Sequence, residues 1–176
     1  GRAVVALGDL ATTEHVAVTV PGIGTDLDSY TGFLTRASNL RGAAQQAYGT
    51  DVATVAWLGY DAPGGAEWPP EVELVEAPFG RRAAEGAGDL RGFVDGVHAT
   101  NPDAHVSVIG HSYGSRVTAD AVRAEGLVAD EVVFIGSPGV GVDHVDDLGA
   151  PTLAEVGDAF DQAGHEIDPT APAPGG

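Results

Sequence analysis

The sequence predicts a three-layer α/β domain, a doubly wound, mostly parallel sheet with helices on both faces, and three observations predict it. Apolar, β-branched runs recur along the chain, helical periodicities separate them, and the length suits a single core. At 176 residues with 43% hydrophobic content, the chain can bury one substantial interior. The domain is expected over residues 1–167, and residues 168–176, rich in proline, alanine and glycine, read as a disordered tail.

Each element has its own signal. Val4–Leu7 and His15–Val20 are the first two strands, and the Gly8-Asp9 step suggests an antiparallel pair at the sheet edge. After Pro21-Gly22-Ile23-Gly24, a capping Thr25 or Asp26 opens a helix in which Leu27, Tyr30, Leu34, Ala37, Leu40, Ala44 and Ala47 form an apolar stripe. Ala53–Leu58 is the next strand. Residues 59–80 form a long connection rich in Pro and Gly, with a short strand or lid element at Val72–Val75, and connections of that length are uncommon without a task. Ala83, Ala87, Leu90, Val94 and Val97 mark a second helix, weakened by four interior glycines and ended by Asn101-Pro102-Asp103. His105–Ile109, Tyr113–Ala124 and Glu131–Ile135 read as strand, helix and strand, and Pro151–Val156 as the last strand.

Composition removes several functions. Eight basic residues stand against 26 acidic ones, a formal charge of −18, which repels nucleic acid and anionic membrane surfaces. All eight are arginine, so Schiff-base, pyridoxal phosphate, Ser-Lys and P-loop chemistry lack their amine. Without cysteine there is no thiol nucleophile, thiolate metal site or disulfide. No apolar run approaches the roughly 18 residues a membrane span needs, and no signal peptide is expected. A chain that opens on Gly1 and holds no methionine is expected to be a segment of a longer protein.

The chemistry converges on Val106-Ser107-Val108-Ile109-Gly110-His111-Ser112-Tyr113-Gly114-Ser115, a buried strand running through G-x-S-x-G into a helix. That context is what a nucleophile elbow requires: a sharp turn lifts the serine hydroxyl, glycines let strand and helix approach, and the helix N-terminus favours developing negative charge. A second oxyanion donor is needed from a loop after an earlier strand, and Val20-Pro21-Gly22-Ile23-Gly24 supplies one. The predicted donors are the backbone N–H groups of Tyr113 and of Ile23, with Gly24 as the alternative. Serine also needs a base and an orienting acid in the order Ser, Asp or Glu, His. Asp158 stands where the acid belongs, and His165 is the one histidine after it, at a short spacing. His111 is expected to point away from Ser112 and anchor the elbow, while His15, His98 and His105 read as structural. His144, among acidic neighbours, reads as a solvated helix start, and no metal site is predicted. Trp57, Tyr60, Asp61 and Ser137 fall at strand ends on the edge shared with Ser112, where open α/β sheets bind ligands, so they are candidate substrate-binding residues.

Taken together, V-P-G-I-G-T-D, W-L-G-Y-D-A-P, G-H-S-Y-G-S and G-S-P-G-V-G-V-D resemble a mainly actinobacterial family of alpha/beta hydrolases, a domain family of unknown function, from about Asp9 to Asp158. The resemblance implies the alpha/beta-hydrolase fold and an esterase- or lipase-like serine hydrolase without a cofactor, acting on a small-molecule ester. By position, Ser112 matches the nucleophile, Gly22 to Gly24 the oxyanion loop and Asp158 the acid. His165-Glu166-Ile167-Asp168-Pro169 resembles an H-G-x-D-P-like segment that members carry before a later H-S-x-Y-like element with the catalytic histidine. The resemblance therefore implies that His165 is not the base and that the fold's C-terminal strand and helix are lacking. A non-catalytic ligand- or protein-binding module, and acyl transfer to an alcohol, remain the competing readings.

Overall fold

The computed structural model of the chain describes residues 1–49, 51–64 and 76–148. The expected short element at Val72–Val75, the strand at Pro151–Val156, Asp158, His165 and the tail at 168–176 lie outside the described residues.

Five strands, three α-helices and one 3-10 helix make up the described fold: β1 (Ala3–Leu7), β2 (His15–Val20), α1 (Tyr30–Tyr48), β3 (Val52–Leu58), α2 (Glu76–Thr100), β4 (His105–His111), α3 (Tyr113–Glu125), β5 (Glu131–Ile135) and the 3-10 turn Val145–Leu148. The strands lie in the order β1-β3-β2-β4-β5. β1 is antiparallel to β3, and every other pairing is parallel. β1 is thus an edge strand as expected, but its partner is β3 and not β2. The connection explains this. Asp9 accepts hydrogen bonds from the Ala11 amide at 2.9 Å and the Thr12 hydroxyl at 3.0 Å, which makes a wide turn in place of a two-residue hairpin. Gly8 packs directly on Ala53, so the connection crosses the end of β3 before entering β2.

The period of two along β3 sends alternate side chains into two cores. Ala53, Val55 and Trp57 join Val16, Val18, Val20, Val106 and Val108 under α2 and α3, while Ala56 and Leu58 meet Tyr30, Phe33 and Ala37 of α1 on the opposite face. All five apolar positions expected along α2, from Ala83 to Val97, are buried, so its core-facing stripe outweighs the glycine penalty. Leu90 is fully enclosed. Leu90→Ala is expected to cost about 2–5 kcal/mol of stability, measured by denaturant unfolding.

The helix after β2 begins later than its stripe suggests. Leu27 is 52% exposed, and α1 starts at Tyr30 with Ser29 as N-cap. Asp26 and Ser29 hold the preceding turn reciprocally: the Ser29 amide donates to Asp26 Oδ1 at 2.8 Å, and the Asp26 amide to Ser29 Oγ at 2.9 Å. The Ser29 amide and hydroxyl keep the Asp26 carboxyl below its ordinary 3.8. A lowered folded-state pKa means that the contribution is complete above the unfolded value and is lost as pH falls through the folded one. The difference in thermal midpoint between the wild type and Asp26→Ala is therefore expected to be constant near neutrality and to shrink below about pH 4.

Candidate active site

The Ser112 backbone stands in a conformation that a side chain rarely adopts, with φ 53° and ψ −125°. Among the described residues it is the one non-glycine with positive φ. Such a conformation costs on the order of 1–3 kcal/mol and persists only where the surroundings over-determine it. Here they do. The Ser112 amide donates to the Ile135 carbonyl at 2.9 Å, the Ser115 amide returns to the Ser112 carbonyl at 3.0 Å, and the buried Ser115 hydroxyl donates to the Gly110 carbonyl at 3.0 Å. The bend lies between the end of β4 and the first turn of α3, at the carboxyl edge of the parallel strands.

Two close approaches explain the glycines around it. A Cβ on Gly114 would run into the carbonyl oxygens of Val20 and Pro21, so α3 meets the end of β2 backbone to backbone. A Cβ on Gly22 would fall 2.7 Å from the Ser112 Cβ and 3.1 Å from its Oγ, so the loop after β2 lies against the serine side chain. Ile23, next along, is 46% exposed. The Gly24 amide points elsewhere and donates to the Pro63 carbonyl at 2.8 Å.

Trp57 and Tyr60 correct an expectation. They do not line a cleft, because they are 2% and 1% exposed. Their rings form a run with Tyr113, with centroids 6.2 Å apart at each step and interplanar angles of 19° and 24°, and the Tyr60 hydroxyl donates to the Pro21 carbonyl at 2.6 Å. Burial pushes the Tyr113 hydroxyl up to about 12 and lifts Tyr60 further, with Tyr113 adding to its shift. Both stay protonated near neutrality. Asp61 faces solvent and pairs with Arg2 at 3.6 Å. Ser137, also exposed, accepts the Gly139 amide at 3.2 Å.

His111 ends β4 with Nε2 toward the Gly136 turn. His15 and His105 meet edge to face at 5.5 Å, His98 contacts the Val128 carbonyl, and His144 Nδ1 accepts the Asp146 amide at the start of the 3-10 turn. Among the described residues no group of three or more His, Cys, Asp or Glu side chains could hold a metal ion, and no helix is long and apolar enough to cross a membrane. A cavity of about 470 Å³ opens between α2, α3 and the 3-10 turn, lined in part by Arg116, Asp120 and Leu148. Arg116, one turn beyond Ser112, spends its Nε on both Asp120 oxygens at 3.0 and 3.1 Å.

Comparison with known proteins agrees with this architecture. Residues 1–162 match a family described as alpha/beta hydrolase. The chain belongs to that family. This alpha/beta hydrolase is 36% identical over 168 residues to the uncharacterized protein Rv0963c of Mycobacterium tuberculosis, covering 90% of the chain and 58% of that protein. It is 35% identical over 151 residues to the uncharacterized protein Rv2079 of the same organism, covering 82% of the chain and 22% of that protein. The chain thus spans little more than half of the first relative and less of the second. Among solved structures, it is similar to an acetyl xylan esterase at 13% identity and a TM-score of 0.46, over 72% of this chain and 64% of that one. A lipase-esterase related protein from Clostridium acetobutylicum gives 14% identity and a TM-score of 0.43, over 77% and 46%.

Proposed function

We propose that this alpha/beta hydrolase is a serine hydrolase of esterase or lipase type that takes a carboxylic ester through an acyl-enzyme at Ser112. The observation that carries the reading is the strained Ser112 backbone with the Gly22 loop packed on its side chain. In the first half-reaction Ser112 Oγ bonds to the acyl carbon, the ester C–O bond breaks, and the alcohol leaves with a proton relayed from the serine through a base. Water then attacks the acyl carbon while the base takes its proton, the bond from that carbon to Ser112 Oγ breaks, the proton returns through the base to Oγ, and the acid leaves. The amides of Ile23 and Tyr113 are the proposed oxyanion donors. Gly24 is the weaker candidate because its amide is engaged by Pro63. Asp158 is the proposed acid, and the base is a histidine, either His165 or one further along a longer chain.

A labelled fluorophosphonate tests the proposal. Ser112 Oγ would bond to phosphorus, the P–F bond would break, fluoride would leave, and the hydroxyl proton would pass to the base. Stoichiometric modification mapped to Ser112 by mass spectrometry is expected. A folded protein that extends far enough to carry the base and takes up no label at any reagent concentration would favour the ligand-binding module instead.

A further inference from the structure

We propose that the loop after β3 is a positioning clamp for the loop that carries the Ile23 amide, with the Tyr60 hydroxyl and the Pro63 carbonyl as its two holds. The inference rests on the hydrolase reading above. It assigns to Tyr60 a positioning role, since a side chain 1% exposed touches no substrate.

The geometry follows from which atoms are held. Tyr60 grips the Pro21 carbonyl at 2.6 Å, and because a peptide unit is planar, this also orients the Gly22 amide. Pro63 grips the Gly24 amide at 2.8 Å, which orients the peptide unit leaving Ile23. Between the two holds lie only Gly22 and Ile23. The Pro21 ring fixes its own φ, so the entry to this stretch is stiff as well. Without the holds, Gly22 would leave the Ile23 amide free to swing, since glycine restricts neither of its dihedral angles.

The clamp is itself anchored. The rings of Trp57 and Tyr113 both lie near-parallel to that of Tyr60, and Gly86 of α2 packs so closely on Tyr60 that a Cβ there would fall 2.7 Å from the tyrosine Cβ. Tyr113 directly follows Ser112, so one rigid aromatic run ties the clamp to the nucleophile's own helix. A buried tyrosine hydroxyl needs some acceptor, and any core carbonyl would satisfy it. That the acceptor is Pro21, two residues before Ile23, gives the contact its consequence.

The test is the rate at which a fluorophosphonate modifies Ser112, resolved into a saturating rate, kinact, and a half-saturation concentration, KI. Tyr60→Phe keeps the ring and its stacking and deletes only the hydroxyl. It is expected to lower kinact by about 10- to 100-fold with KI unchanged, because a displaced donor weakens the charged transition state and not the encounter. Leu90→Val shortens a buried core side chain of α2 that makes neither hold, and its kinact is expected to stay within about twofold of the wild type. Gly64→Ala, on the exposed end of the clamp, would place a Cβ 2.7 Å from the Gly24 amide and is expected to reproduce the kinact loss even if Tyr60→Phe does not fold. Unchanged kinact in folded Tyr60→Phe, or equal losses in Tyr60→Phe and Leu90→Val, would overturn the clamp while leaving the hydrolase reading intact. An unsubstituted protein that extends far enough to carry the base and still does not label overturns both.

Discussion

Ser112→Ala is expected to abolish fluorophosphonate labelling and to lower turnover of an activated ester by on the order of 10⁴–10⁶. Removing one oxygen deletes the atom to which the acyl group bonds, so no rearrangement of neighbours can restore the covalent route. What survives is the binding surface and any residual stabilisation of a water-attacked oxyanion. The fold is expected to be retained, because the Ser112 contacts that brace the bend use its backbone amide and carbonyl. Circular dichroism and a denaturant midpoint close to the wild type would separate loss of the nucleophile from loss of structure. Turnover that persists undiminished in the folded variant would place the chemistry elsewhere.

Gly22→Ala is the second large effect, and it acts by crowding the nucleophile and the loop beside it. The new Cβ would stand 2.7 Å from the Ser112 Cβ and 3.1 Å from the His111 carbonyl oxygen, so either the serine side chain or the loop must move. Displacements of about 1 Å at a reacting centre cost on the order of 10²-fold in rate, and a loss of that size is expected in kcat with the overall fold preserved. The measurement is ester turnover beside a thermal midpoint. A variant with normal turnover would mean that the loop relaxes away without consequence, which would deprive the proposed oxyanion donor of its importance.

What could be read in advance, and what could not, divides along physical lines. The parallel strands and α2 were legible because their apolar periods are local and agree with where the residues are buried. The G-x-S-x-G turn was legible because glycine at both flanks answers a steric demand next to a fixed bend, seen at Gly114 against Val20 and Pro21. The partner of β1 was not, since pairing depends on how far the Asp9 turn carries the chain, and a Gly-Asp step alone does not reveal that. Trp57 and Tyr60 were placed on the right edge of the sheet but given the wrong direction. Strand-end aromatics can turn inward or outward, and only the stack with Tyr113 decides between them. The start of α1 shifted because the Asp26 and Ser29 side chains bond each other before the helix begins.

The positive φ of Ser112 has a consequence for how such a chain would age if its chemistry were no longer needed. Holding a serine in that rotation works against folding at every moment of the protein's life, whereas a glycine there would sit at ease. A lineage released from catalysis would therefore relax this position early, long before its core eroded. A serine held under such tension in an otherwise ordinary domain is a standing cost, and the proposed use of its hydroxyl would account for it.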